Sequence, residues 1–292
     1  MSTRLVSWQK GLFSTACLGW GYYIYISPPM HPSDPAPLSI MTTTPPSLTL
    51  YRGFPISNTF TWSPFVTKLE ARLRFSSLSY TLAAGSPLQG PRGQIPYIGL
   101  PSEQSSIPTT ITTSSSNKHS LQTLLGDSTI ITSNLISTGQ LDDLNAHLTP
   151  AQKASDLALR ALLQDRLYML TEHEKWSCGG QTNPATKGLN FYVERDHVLA
   201  PISWPLRVVV GMLAWRWNWF KLYAVGAGRL TGEERRLAVE EGWDAVAGLL
   251  RESWDRKGEK VGEPFWMLGG EGPTECDATV FGFVVCGLVC ES

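Results

Sequence analysis

The chain has 292 residues, 42% of them hydrophobic, with 24 lysines and arginines against 25 aspartates and glutamates. That length holds two ordinary domains or one large one, and a net charge of −1 supplies no global field to attract nucleic acid. Cys17, Cys178, Cys276, Cys286 and Cys290 are odd in number and irregular in spacing, and the histidines at 31, 119, 147, 173 and 197 form no metal spacing. A secreted disulfide framework and a zinc site are therefore both unsupported. Free thiols in a reducing, cytoplasmic interior and no bound metal are the expectation.

Residues 12–26 are apolar and aromatic, behind Arg4 and Lys10. Ser14, Thr15, Gly19 and Gly21 interrupt the run, which falls short of the roughly 20 residues that span a bilayer. Residues 27–46 are rich in Pro, Ser and Thr. We read 1–46 as an unstructured leader and linker; membrane association through 12–26 is the alternative.

Residues 47–54 (SLTLYRGF) read as a first strand. Ser63 and Pro64 open a helix over 63–77, because Ser before a proline at the first helical position is a strong start. Its core face carries Phe65, Leu69 and Leu73, joined by Val66 and Phe75. Lys68 and Arg72, four apart, read as its solvated face, with Glu70 and Arg74 paired across one turn. Residues 78–84 (LSYTLAA) read as a second strand, and a Gly/Pro-rich loop over 85–93 leads to a short third strand over 94–100. The polar Ser/Thr tract 101–120 has little reason to fold and reads as a surface insertion. Residues 121–126 (LQTLLG) read as a fourth strand, after which Asp127-Ser128 opens a helix over 129–138.

From about 148 the pattern is helices joined by loops. Pro150 sits just inside a helix start, and that helix runs through Leu157, Leu163, Leu167 and Leu170 to about Trp176. Arg160, Arg166, Tyr168 and His173 lie on it, and His173, between Glu172 and Glu174, reads as part of a charged helix end. Residues 207–223 are apolar and Trp-rich. The run Trp215 to Lys221 reads as a buried helix with aromatic packing; a membrane- or partner-facing patch is the alternative. Basic residues are too few there for a nucleic-acid stacking surface. Thr231 and Glu234 form a capping box for a helix to Arg251, and Thr274 with Asp277 resembles a second box before the apolar 278–289. The expected organisation is a leader (1–46), an α/β domain (47–140, with the 101–120 insertion) and a helical domain (148–292). No Walker loop, no GxGxxG after a strand and no GxSxG elbow is present.

A strand, a short turn and a helix opening on Ser-Pro resemble the active-site corner of thioredoxin-type folds. Thiol enzymes place CxxC there; this chain has Ser63 and Val66. The order of an α/β domain followed by helices resembles the soluble glutathione transferase superfamily. Ile95-Pro96 stands where those folds place a cis proline, and Asp127-Ser128 where they place an acidic or amide residue followed by Ser. Thr274-x-x-Asp277 matches the superfamily's buried N-capping box. Ser63-Pro64-Phe65-x-x-Lys68-Leu69-Glu70, Leu125-Gly126-Asp127-Ser128 and 270–282 (GEGPTECDATVFG) resemble the metaxin and failed-axon-connections branch. That branch usually has Cys at the Val66 position, which argues against thiol–disulfide exchange here.

The resemblance implies a thioredoxin-like N-terminal domain and a helical C-terminal domain of glutathione transferase type. It implies a transferase with glutathione as cosubstrate, or equally an isomerase or lyase using the same thiolate, with Ser63 catalytic beside that thiolate and Ile95, Pro96, Asp127 and Ser128 binding the peptide. Tyr51, Trp62 and Tyr168 would line the pocket of a small hydrophobic electrophile, and a homodimer is a family expectation. Each of these residues also has a plainer reading: Ser63, Asp127 and Ser128 as helix caps, Pro96 as a turn, Tyr168 as packing. The rival function is a non-catalytic, metaxin-like adaptor, placed at the mitochondrial outer membrane or another membrane.

Overall fold

The computed structural model describes residues 48–53, 61, 63–87, 89–101, 122–176, 191–192, 195, 199, 202–258 and 264–290. Expectations for the leader, for most of the 101–120 tract and for Trp62 lie outside these residues. Four strands, β1 (Thr49–Arg52), β2 (Thr81–Ala84), β3 (Tyr97–Pro101) and β4 (Gln122–Gly126), form one sheet in the order β2-β1-β3-β4. β1 pairs parallel to β2 and antiparallel to β3, and β3 pairs antiparallel to β4. Helix α1 (Pro64–Phe75) connects the parallel pair β1 and β2, and α2 (Ser128–Ser137) follows β4. This is a thioredoxin-like layer. The helices that follow are α3 (Pro150–Ala161), a π-helical stretch Leu162–Leu167, α4 (Tyr168–Trp176), α5 (Leu206–Ala224), α6 (Gly232–Lys257) and α7 (Glu275–Cys290).

The chain divides into two compact units. One comprises residues 1–156 and 252–292, the other 157–251. In the first, alternate strand residues Leu48, Leu50, Ile98 and Leu100 meet Leu69 and Leu73 of α1 and Ile131 and Leu135 of α2. Burying each such aliphatic side chain is worth roughly 1.5–3 kcal/mol, so this layer is the energetic base of the unit. Helix α7 packs along α1, bringing Phe283 edge-on to Phe65 at 5.6 Å. Gly282 sets the closeness of that packing: a methyl group there would lie 2.5 Å from the Pro64 carbonyl oxygen and 2.7 Å from the Lys68 nitrogen.

Covering α1 on this side corrects one expectation. Lys68 and Arg72 are no solvated face; they are 3% and 1% exposed. Arg72 Nε donates to Glu275 Oε1 at 2.5 Å, and its other nitrogens reach Ser76 Oγ and the Asp142 carbonyl. The same helix carries Glu70, which meets Arg52 at 3.2 Å and Arg74 at 3.7 Å. Burial raises the Glu70 carboxyl, and the two guanidiniums pull it back.

The start of α7 is tied down by side chains. Asp277 Oδ2 accepts from Thr274 N and Thr274 Oγ1 at 2.8 and 2.6 Å, and Asp277 Oδ1 accepts from Met267 N at 2.7 Å. Asp156 of α3 accepts from Cys276 N at 2.7 Å and from Asn145 Nδ2 at 2.9 Å. The start of α6 is held by the expected box, with Thr231 N donating to Glu234 Oε2 and Glu234 N to Thr231 Oγ1.

In the second unit, Leu170, Ala227 and Val239 form a small core with Met169, Leu230, Ala238 and Trp243 around it. Two expectations fail in this unit. His173 belongs to no charged helix end: it is buried, and desolvation followed by the charge of Arg235 lowers its pKa to about 4. The Trp-rich run is no buried helix. Only Gly211 and Leu222 of α5 are buried, while Leu213, Trp217 and Phe220 are 63%, 69% and 62% exposed. Apolar content alone could not say how many neighbours the helix would find.

Candidate functional site

The sheet brings four of the expected residues to one edge. Tyr97 pairs with Tyr51 on one side and with Gly126 on the other. The residues just before β3, Ile95-Pro96, are therefore level with the end of β1 and with Asp127-Ser128 after β4. The Ile95-Pro96 bond is cis. A methyl group on Gly53, the first residue past β1, would lie 3.1 Å from Ile95 Cδ1, so the chain leaves β1 alongside this proline. Both α1 and α2 begin beyond the carboxyl ends of their strands, and open sheets place ligand sites at such ends.

Ser63 caps α1 with its backbone. It is extended, at φ −92° and ψ 113°, and its carbonyl accepts from Val66 N and Thr67 N, each at 3.2 Å. Its hydroxyl makes no capping bond, so Ser63 holds the N-cap position through its backbone alone. Thr61 Oγ1 donates to the same carbonyl at 3.2 Å and steadies the approach to the helix. Val66, at the second position of the corner, is fully buried. A side chain there serves the core.

Asp127 does cap. Its Oδ1 accepts from Thr129 N at 2.9 Å and from Ile130 N at 3.2 Å, and neither bond uses Oδ2. The residue sits at φ 79° and ψ 118°, outside the usual range for a residue with a Cβ. Holding such a conformation costs on the order of 1–3 kcal/mol, and it persists only where its surroundings enforce it. Ser128 beside it is buried.

Lys68 links the two helix starts. Its Nζ donates to Thr129 Oγ1 at 3.3 Å, from the second turn of α1 to the first turn of α2. Amides at helix starts carry partial positive charge, and a buried ammonium between two of them adds to it. The sequence reading missed this residue by placing it in solvent. One signal was present: Gly282, an isolated glycine in an apolar run, marks a close helix crossing that covers this side of α1.

Tyr51 alternates to the face opposite Leu50 and stacks on Tyr97, with ring centroids 4.6 Å apart and planes at 12°. Burial, followed by the neighbouring Tyr51, raises the Tyr97 phenol. Tyr168 is half-buried in the second unit, where its carbonyl accepts from Thr171 Oγ1 at 3.1 Å. Among the described residues no group of His, Cys, Asp or Glu could hold a metal ion, and no helix is long and apolar enough to cross a membrane.

No curated protein matches the chain. Residues 64–183 match the family model described as glutathione S-transferase N-terminal domain. This stretch begins on Pro64 itself and takes in α1, β2 to β4 and α2 to α4. Over this stretch, less than half of the chain, the protein is similar to glutathione S-transferase N-terminal domains, in keeping with its thioredoxin-like sheet.

Proposed function

We propose that this protein is a glutathione-dependent transferase that joins the glutathione thiolate to a hydrophobic electrophile. One observation carries the reading: two helix starts and the Ile95-Pro96 peptide converge on one sheet edge, with the Ser63 hydroxyl uncommitted to capping. A thiolate is stabilised by the amides of a helix start and by a hydroxyl donor. Asp127 fits the α-amino group of a γ-glutamyl residue through Oδ2, because Oδ1 alone serves the cap. The constrained backbone at Asp127 supports a binding role for this turn. In the reaction the thiol proton leaves to solvent, the sulfur attacks the electrophilic carbon, and an S–C bond forms. In a displacement the leaving group departs with its electron pair; in an addition the pair is quenched by a proton.

The test is calorimetric titration of the full chain with glutathione, beside a rate assay with a general aryl halide. Ser63→Ala should bind glutathione within a few-fold of wild type and lose about 100–1,000-fold in rate, the usual range for one donor to a developing charge. Failure of wild type to bind millimolar glutathione would remove the proposal. The second reading, a non-catalytic adaptor of metaxin type, is favoured by the buried Val66 where a thiol would be needed and by the exposed aromatic helix α5.

A further inference from the structure

Among the described helices, α5 stands apart in what it leaves uncovered. Leu206, Val209, Leu213, Trp217 and Phe220 are all more than half exposed, and they recur at spacings of three and four, so they share one face. Tyr223 continues that face, with Arg229 set over its ring at 5.0 Å. Trp219, beside the face, stacks on Tyr223 at 5.6 Å. A patch of this extent on a water-facing surface is a site of contact.

Charge decides the partner. Leu206–Ala224 contains Arg207, Arg216 and Lys221 and no acidic residue. Arg216 lies within the angular span of the apolar face, Lys221 at its border, and both are exposed. A second copy meeting this face about a two-fold axis would bring like charges together, since such an interface uses the same patch twice. An anionic surface has the complementary sign. Tryptophan and tyrosine prefer the water–lipid boundary, where an apolar ring with a polar edge is satisfied on both sides. At about 1.5 Å per residue the helix is about 28 Å long, but three cations bar it from the hydrocarbon core; it would lie along the surface. We propose that α5 docks flat on the headgroup layer of an anionic phospholipid membrane, with its aromatic face inserted and Arg216 and Lys221 on the lipid phosphates. This rests on α5 alone and is independent of glutathione binding.

The experiment is co-sedimentation of the full chain with vesicles of phosphatidylcholine alone or with about 30% phosphatidylserine, in low and high salt, where screening should weaken the ionic part. Wild type should prefer the anionic vesicles. Arg216→Gln with Lys221→Gln should weaken that binding by about 30-fold, the loss expected for two basic residues at such a surface. Trp217→Ser with Phe220→Ser should abolish it while leaving the thermal midpoint unchanged, since both side chains are exposed. Equal binding by wild type and both variants would overturn the proposal, as would no binding at all. A dimer of wild type that Trp217→Ser with Phe220→Ser converts to monomer would overturn it too, and would assign the face to a second copy.

Discussion

His173 lies in the second compact unit with its Nδ1 buried and unbonded, and the positive Arg235 acts on it. Its folded pKa, about 4, is below the ordinary 6.5. The unfolded chain therefore takes up the proton first. Stability from keeping this ring neutral is complete above 6.5 and is lost as pH falls towards 4. Asp277 works in the opposite direction: burial raises it to about 6, above its ordinary 3.8, so its contribution is largest below 3.8 and is lost as pH rises through 6. Urea midpoints across pH 4 to 7 should separate them, with His173→Leu flattening the acid-side loss; an unchanged slope would show that the ring titrates in the fold as it does in the unfolded chain. Asp127 offers a second test, because it combines a cap with an unfavourable φ. Asp127→Ala keeps the strained φ and loses the cap, and should cost about 1–2 kcal/mol. Asp127→Gly relieves the φ and should recover most of that loss; equal midpoints would mean that φ 79° carries no cost. The capping residues were legible because a cap is local in sequence. The state of His173 was not, because its shift comes from burial and then from Arg235, more than a helix away in the chain.

At the scale of elements, the strands and helices announced themselves through short-range signals: alternation in β1, Ser-Pro at α1, Asp-Ser at α2 and boxed threonines at α6 and α7. The faces did not. The spacing predicts a solvated side for α1, which α7 covers, and a buried α5, whose broad aromatic face is open. Periodicity gives the stripe that could be buried, whereas the partner that buries it is set by distant residues. Gly282 makes the α1–α7 crossing testable. In Gly282→Ala the added methyl would meet the Pro64 oxygen and the Lys68 nitrogen, backbone atoms that cannot swing aside. A loss of about 1–3 kcal/mol or more in chemical denaturation is expected. Gly287 on the same helix is exposed with open space around it, so Gly287→Ala should gain up to about 1 kcal/mol from helix propensity. Equal effects at the two sites would mean that the crossing is looser than 2.5 Å implies.

For the molecule as a whole, the first unit is assembled from two stretches of chain, 1–156 and 252–292. Its sheet layer therefore depends on a helix encoded more than 130 residues after β4 ends. Two polar ties fasten that helix: Arg72 to Glu275, 203 residues apart in sequence, and Asp156 to the Cys276 amide, 120 residues apart. No local pattern reveals such pairings, and so they were absent from the sequence reading although the Thr274–Asp277 box was present in it. Asp156 is fully buried and satisfies two donors at once, the Cys276 amide and the Asn145 side chain. Asp156→Ala leaves both without that acceptor, at about 1–3 kcal/mol for each donor left buried. The loss should come with exposure of the first unit's core, read as earlier hydrogen exchange in β1, β3 and α1. Arg166→Ala is the control: it breaks a pair with Glu241 in which both side chains are more than half exposed, worth no more than about 1 kcal/mol. If Asp156→Ala were as mild as that control, the Asp156 tie would hold α7 no more firmly than a surface pair does. The closure of the unit would then rest on the Gly282 crossing and the Arg72–Glu275 pair.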